Sequence, residues 1–330
     1  MAKANNPINV VVGLDVGRSG VKLAFFFGGE VKTYFIPSVV IPAKTITYDT
    51  NQRLTQENTV ELDGVKYFVG ETAIEQGAQH TVGLTQNWLE GFEHRALLLR
   101  CKSLLSSYGV VPKLIVAGLP VDTFNAYMEK LYEQVTAVFG CGVLPVPQPW
   151  GVYQDYLLND SGRLKNSKAL SERDAVIDVG HFTTDILLMS NGNWIQESSG
   201  STIGMSKSCS ELQTLLAAQG ITATTIEVQE IMKSRKVKEY GSYRDVNDLV
   251  EKSILSARSQ IVQFANNLLG SQARTIDRIL IAGGGASSVF DEFKALWPQC
   301  ILIDDPRFSV VVGMRKYGIH VALSDPSCVE

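Results

Sequence analysis

Short apolar runs bounded by glycine and polar residues open this chain, at 8–16, 20–27 and 30–36, and that spacing predicts three strands before Pro37 and Pro42 interrupt the pattern. Residues 61–68 place Asp63-Gly64 between strand-like flanks, a hairpin signal. Leucines at helical spacing follow over 89–107, then a buried-strand run at 113–117. Asp122 is placed to cap a helix reaching about 138. A strand ends at 144–147, and Pro149 suits a first helical turn. The polar stretch 159–173 reads as a surface loop. Beyond it come helices at about 205–219, 226–234 and 244–270, and a strand at 277–281 that runs into three glycines, with Ser287 or Ser288 placed to cap the helix after it. Strands alternating with helices argue an α/β architecture whose sheets are covered by helices.

One phrase occurs twice within this pattern. Leu14-Asp15-Val16-Gly17 and Ile177-Asp178-Val179-Gly180 each follow an apolar run and lead into another. Each reads as strand, tight turn, strand, which suggests two similar half-domains with facing turns. Glycine permits close backbone approach, and successive turn amides form an anion-binding concavity. An aspartate beside each concavity can share a hydrated cation, and magnesium suits because it keeps several waters. The ligand this implies is a nucleotide polyphosphate with its metal.

The details of each turn sharpen that reading. In the first, the amides of Gly17, Arg18, Ser19 and Gly20 can wrap a phosphate, and Lys22 extends from the next strand. Neither GxxxxGK[ST] nor GxGxxG is present. In the second, Gly180, His181 and Thr183 surround the turn, and the threonine hydroxyls can donate to phosphate. His181 reads as a turn side chain near the cleft, while His80, His94 and His320 read as structural or exposed. A third motif, Gly283-Gly284-Gly285-Ala286, follows a strand and lets a flat base or ribose lie against bare backbone beside a helix N-terminus. Taken singly, the first motif and the triple glycine read as tight structural turns before they read as ligand sites.

Composition narrows the class. The chain has 330 residues, 45% hydrophobic and 19% charged, with a formal charge of −4, which fits about two globular domains. The densest basic stretch, 233–238, is interrupted and reads as a solvated helix end, so direct nucleic-acid binding is not expected. Five scattered cysteines without CxxC argue against a zinc site or disulfide framework and for a reducing cytoplasm. The polar start at 1–7 has no apolar signal core, and no run reaches the roughly 18 apolar residues of a membrane span.

In order along the chain, DxGxxxxK from Asp15 to Lys22, DxGxxTxD from Asp178 to Asp185, and AGGGA from Ala282 to Ala286 resemble the phosphate-one, phosphate-two and adenosine motifs of the actin-like ATPase superfamily. The plasmid-segregation group, ParM or StbA, is the nearest resemblance within it. It rests on 117–121, the Asp178–Asp185 spacing, 198–204 and 311–314. The resemblance implies an actin-like fold: two RNase H-like α/β domains, 1–150 with about 306–330 and 151–305, flanking a nucleotide cleft.

It also implies ATP or ADP with Mg²⁺ near Asp15 and Asp178, through water, and Gln148 orienting the attacking water. Arg18 stands where many relatives carry Ser or Thr, and His181 and Phe182 replace small residues. The implied activity is ATP hydrolysis coupled to head-to-tail filaments that segregate DNA through an adaptor protein at a centromere-like site, in the cytoplasm and away from membranes. The alternatives on the same fold are a small-molecule kinase, with Asp185 positioned as a base, and a non-polymerising ATP-binding scaffold.

Overall fold

A computed structural model describes residues 7–77 and 88–329 of the chain. His80 and most of the polar start at 1–7 lie outside the described residues. A short helix, α1 (Pro7–Val10), takes the first residues expected to be strand, and β1 (Val11–Val16) begins one turn later. It pairs antiparallel with β2 (Gly20–Phe27), which pairs with β3 (Glu30–Pro37). A small antiparallel sheet follows, built from β4 (Val40–Pro42), β5 (Thr59–Leu62) and β6 (Val65–Val69), with α2 (Gln52–Glu57) before β5 and α3 (Glu71–Gln76) after β6. Its Asp63-Gly64 turn has positive φ at both residues, 51° and 78°, the geometry that an Asp-Gly hairpin predicts.

The chain then returns to the first sheet. Helix α4 (Phe92–Ser107) leads to β7 (Leu114–Leu119), then α5 (Val121–Phe139) and β8 (Gly142–Pro147). Both strands run parallel to β1, so the sheet order is β3-β2-β1-β7-β8. The second half repeats this plan. β9 (Arg173–Val179) and β10 (Thr183–Ser190) form a hairpin, and β11 (Asn193–Trp194) and β12 (Gly200–Ile203) both pair with β10. After α7 (Ser206–Ala217), α8 (Thr225–Ser234), the ribbon β13 (Lys236–Glu239)–β14 (Ser242–Asp245) and α9 (Asn247–Leu269), β15 (Arg278–Ala282) and β16 (Cys300–Leu302) extend the sheet in parallel beyond β9. The repeated Asp-Val-Gly phrase therefore marks the same place in two like-wound sheets.

Several expectations need correction. The long helix begins at Asn247, because 242–245 form an exposed strand. Residues 159–173 contain a turn of 3₁₀ helix at Ser167–Ser171 and end in β9. Asp122 does not cap α5. Pro120 holds the cap position at φ −56°, and a carboxylate from the other half serves the first amide instead. Nor do Ser287 and Ser288 cap a helix: Ala286–Ser288 form a 3₁₀ turn, and α10 (Phe290–Leu296) starts behind Val289 with no side-chain cap. The reading of His94 and His320 as structural or exposed needs no correction: His94 is buried, and His320 lies within hydrogen-bond reach of the Gly162 carbonyl.

Each half has its own apolar core, and a third cluster joins them. In it Val116 and Val146 of the first sheet meet Val176, Leu187 and Leu280 of the second. The bridge is made by Val152 and Tyr153 of α6 (Gln148–Leu157) and Val310 and Met314 of α11 (Ser309–Ser324). These two helices cross with backbones touching: a Cβ on Gly313 would stand 1.7 Å from the Gly151 carbonyl oxygen, and one on Gly151 2.1 Å from that of Val310. Beside the crossing, Lys316 binds Asp155 at 2.7 Å and Ser309 donates to the same carboxylate at 2.8 Å. Among the described residues no helix is long and apolar enough to cross a membrane.

No side-chain rotation relieves a clash between a methyl and a fixed carbonyl. Gly313→Ala is therefore expected to lower stability by roughly 3 kcal/mol or more, read as the urea midpoint. An unchanged midpoint would mean that the helices do not cross so closely.

Candidate functional site

The two repeated turns meet at one cavity of about 500 Å³. Asp15, Gly17, Arg18, Ser19, Gly20 and Lys22 line it from the first half, with Gln148 from the start of α6. Asp178, Gly180, His181 and Thr183 line it from the second. The cavity continues past Trp88, His94, Asp122 and Tyr127.

Both turns are fixed by hydrogen bonds to their carbonyls. In the first, Trp88 Nε1 donates to Val16 O at 3.0 Å and Ser38 Oγ to Gly17 O at 2.6 Å. In the second, the amides of Met205 and Ser206 donate to the carbonyls of Gly180 and His181 at 3.1 and 2.6 Å. The C=O and N–H of one trans peptide point in opposite directions. The amides of Gly17, Arg18, His181 and Phe182 are thereby turned away from these partners. Gly17 and Gly180 have no positive φ; they are glycine because a Cβ would stand 2.9 Å from Gly20 O and 2.7 Å from Thr183 O across the turn. Ser38 and Trp88 have no signature in the sequence, since their partners lie far along the chain.

The charges are arranged by the ladder. Asp15 lies opposite Lys22 in the first hairpin, and Asp178 opposite Asp185 in the second. Lys22 Nζ meets Asp15 Oδ2 at 3.1 Å, and Gln148 Nε2 donates to Asp15 Oδ1 at 2.7 Å. Burial opposes the Lys22 ammonium, but Asp15 and Asp178 outweigh it and hold its pKa above the ordinary value. Asp178 is buried, its Oδ1 has no hydrogen-bond partner, and burial pushes its pKa up to about 7 against the pull of Lys22.

Asp185 does different work. It accepts from Val121 N at 2.8 Å, from Ser201 Oγ, and from Thr183 Oγ1 at 2.7 Å. Thr183 thus spends its hydroxyl on Asp185, whereas the sequence suggested phosphate. Asp122 accepts from Ser201 N at 3.0 Å, so the start of α5 in the first half is bound to β10 and β12 in the second.

Gly283, Gly284, Gly285 and Ala286 do not line this cavity. They back Asp178: Gly283, at φ 91°, would place a Cβ 2.4 Å from Asp178 Oδ1, and Gly285 N donates to Val179 O at 2.9 Å. A Cβ on Gly284 would meet open space. His181 packs edge-on against Phe182, and burial lowers its pKa to about 4, as it does that of His94.

A raised carboxyl pKa makes the folded chain bind a proton that the unfolded chain has released. Asp178 therefore subtracts stability as pH climbs from about 4 to about 7. His94 and His181, depressed to about 4, act in the opposite sense up to their unfolded pKa. The difference between wild type and Asp178→Asn isolates the effect: the variant is expected to gain a few kcal/mol relative to wild type between pH 4 and 7.5. A pH-independent difference in urea stability would mean that Asp178 is ionised throughout.

Comparison with known proteins accords with this arrangement. The family described as actin-like proteins, N-terminal domain, matches residues 13–143, and the archaeal actin homologue MreB-like, C-terminal, matches 176–295. No curated protein matches the chain. The fold is similar to that of ParM in a 15-stranded filament from Clostridium botulinum, at 20% identity and TM-score 0.71, covering 93% of this chain and 98% of that one. An archaeal actin homologue in complex with ADP gives 20% identity and TM-score 0.71, covering 96% and 99%. The actin-like protein Alp7A gives 13% identity and TM-score 0.72, covering 96% and 98%. With an actin-like domain followed by an MreB-like one, and a fold shared with ParM and archaeal actin homologues over nearly its whole length, the chain belongs to the actin-like superfamily.

Proposed function

We propose that this protein is an ATPase that assembles head to tail into filaments under nucleotide control and segregates DNA through a separate adaptor. The observation that carries the nucleotide site is the pair of back-bonded turns at one cavity holding Asp15, Lys22, Asp178 and Gln148. The ADP complex and the filament of structural neighbours support the same reading. The domain division is 1–150 with about 306–330, and 151–305. It draws support from the last helix, α11, which packs back on β1 and β7 of the first sheet.

The triphosphate lies between the turns, with Gly17, Arg18, Ser19, Gly20, Gly180 and His181 presenting backbone to it. Lys22 exchanges its bond to Asp15 for a phosphate oxygen, and Gly283, Gly284, Gly285 and Ala286 form the floor for the nucleoside. Gln148 cannot take a proton at neutral pH, so it orients the attacking water through its amide.

Mg²⁺ fits the residues present. Asp178 offers a buried, unpartnered Oδ1, whereas both oxygens of Asp15 are engaged, and among the described residues no trio of acidic, His or Cys side chains forms a closed metal site. A cation that keeps its waters and takes one or two carboxylates plus phosphate matches that donor set. When bound it would neutralise charge on the phosphates, held by Asp178 and, through water, Asp15.

Bound ATP draws the halves together because both turns gain from the same anion, and loss of the γ-phosphate removes part of that gain. Nucleotide thus selects between conformations by differential affinity. The subunit contact is heterologous and non-closing, which gives an open filament. The setting is the cytoplasm, with a DNA-binding adaptor at a centromere-like site. A kinase is disfavoured because Asp185, the positioned base, is saturated by three donors.

Pelleting with ATP, ADP and a non-hydrolysable analogue tests the assembly claim; no nucleotide-dependent pellet at any concentration would defeat it. Gln148→Ala is expected to bind ATP normally but release phosphate about a hundredfold more slowly, the loss usual for a misplaced reactant. Asp178→Ala is expected to abolish release. Unchanged phosphate release in Asp178→Ala would remove Asp178 from the site.

A further inference from the structure

Among the described residues the ribbon β13–β14 pairs with no other strand, and its one buried apolar side chain is Val237. Its turn is Tyr240-Gly241, with φ of 47° and 87°. That geometry favours Asn-Gly, and a bulky residue in the left-handed region is strained. Tyr240 is nonetheless fully exposed, and Tyr243 is 70% exposed. Neither the turn nor the core explains two tyrosines there.

The ribbon is also locally basic. Between 233 and 245 five cations face two acids, whereas the whole chain carries −4, so the remainder is acidic. Lys233, Arg235 and Arg244 have partners in Glu230, Glu251 and Glu239. Lys236 and Lys238 make no ion pair among the described residues, and Lys238 lies directly across the ladder from Tyr243. Lys236 lies across from Asp245, so the outward face of Lys236, Lys238, Tyr243 and Asp245 is aromatic with a net positive charge centred on Lys238.

Its complement is on the other half of the same chain. Helix α5 leaves Met128 and Tyr132, one turn apart, exposed at 38% and 47%. Beside them run Glu129 and Glu133, also one turn apart and without an ion-pair partner among the described residues. Like charges at that spacing repel along a helix. A cation from outside would relieve them.

We propose that the β13–β14 ribbon of one subunit docks on the α5 face of a second copy, with Tyr240 and Tyr243 against Met128 and Tyr132 and Lys236 and Lys238 near Glu129 and Glu133. The two faces differ, so the contact is heterologous and propagates rather than closing into a dimer. Exposed tyrosines are suited to anchor such an interface, because they bury much area at small entropic loss. This rests on the filament reading given above and supplies its contact.

The test is the critical concentration for ATP-dependent assembly of the full chain, by pelleting and light scattering, with binding of a fluorescent ATP analogue as control. Tyr240→Asn gives the turn its preferred sequence, so its melting temperature is expected to be unchanged or higher. Its critical concentration is expected to rise at least about tenfold, the loss of one anchoring residue. Lys238→Glu and Glu133→Lys should each do the same, and the double exchange should recover most of the loss. All variants should bind the analogue like wild type.

Tyr240→Asn and Lys238→Glu proteins that assemble at the wild-type concentration would overturn the ribbon's role, and a double exchange no better than either single would overturn its pairing with α5. If wild type binds the analogue yet never assembles, the filament reading itself fails. A single-stranded oligonucleotide bound by wild type and lost in Lys238→Glu, with assembly intact, would overturn the proposal in favour of nucleic acid.

Discussion

Two carboxylates buried at the ends of facing hairpins have to be reconciled with each other, and the rest of the site follows from how this is done. Lys22 feels both Asp15 and Asp178 but bonds only Asp15, whose second oxygen is taken by Gln148. Asp178 is left with an unpartnered oxygen and a pKa near neutrality. Burying a charge without a partner is expensive. The side chains of the site therefore leave a demand for positive charge at Asp178 beside turns whose amides suit an anion. A polyphosphate and its cation would answer both demands at once.

That demand is usable only because the halves are connected in a particular way. Asp185 binds the first amide of α5 from across the cleft, and Asp122 and Ser201 reinforce the same joint. On the far side of the strands, α6 and α11 form a shared layer whose backbones touch at Gly151 and Gly313. Gln148 begins α6, so the residue that reaches Asp15 belongs to the element that joins the sheets. Under the proposed function, a change in what the turns hold would be transmitted through these joints to the angle between the halves, which is what an assembly switch requires. The exposed ribbon and the α5 face belong to different halves, so their relative placement would follow that angle.

Much of this was legible from local pattern. The three opening strands, the Asp63-Gly64 hairpin, the helix over 89–107 and the two Asp-Val-Gly turns were all written in periodicity and turn chemistry. The repeat of one phrase was enough to predict two similar halves, and Asp15, Lys22, Gln148 and Asp178 do meet at one cavity. Besides misplaced element ends, two expectations about side chains were displaced by partners distant in sequence or in a neighbouring strand. Asp122 had the chemistry of a cap, but Pro120 took the position and a residue 64 places away supplied the bond. Thr183 had the chemistry of a phosphate donor and spends it on Asp185. The triple glycine, proposed as the nucleoside floor, also has a structural reason that the sequence does not display: its first member is required by the close approach of Asp178.

The sequence alone determined most of the strands, turns and helices, because those choices depend largely on neighbours within a few residues; the exceptions, such as the strand at 242–245, lie at element ends. It also determined the chemistry available at each turn. Only the tertiary structure decided which carboxylate is paired and which is left wanting, and that Ser38 and Trp88 hold the first turn. Those outcomes depend on atoms brought together from distant parts of the chain, and a contact of that range leaves no periodic trace in the residues that make it.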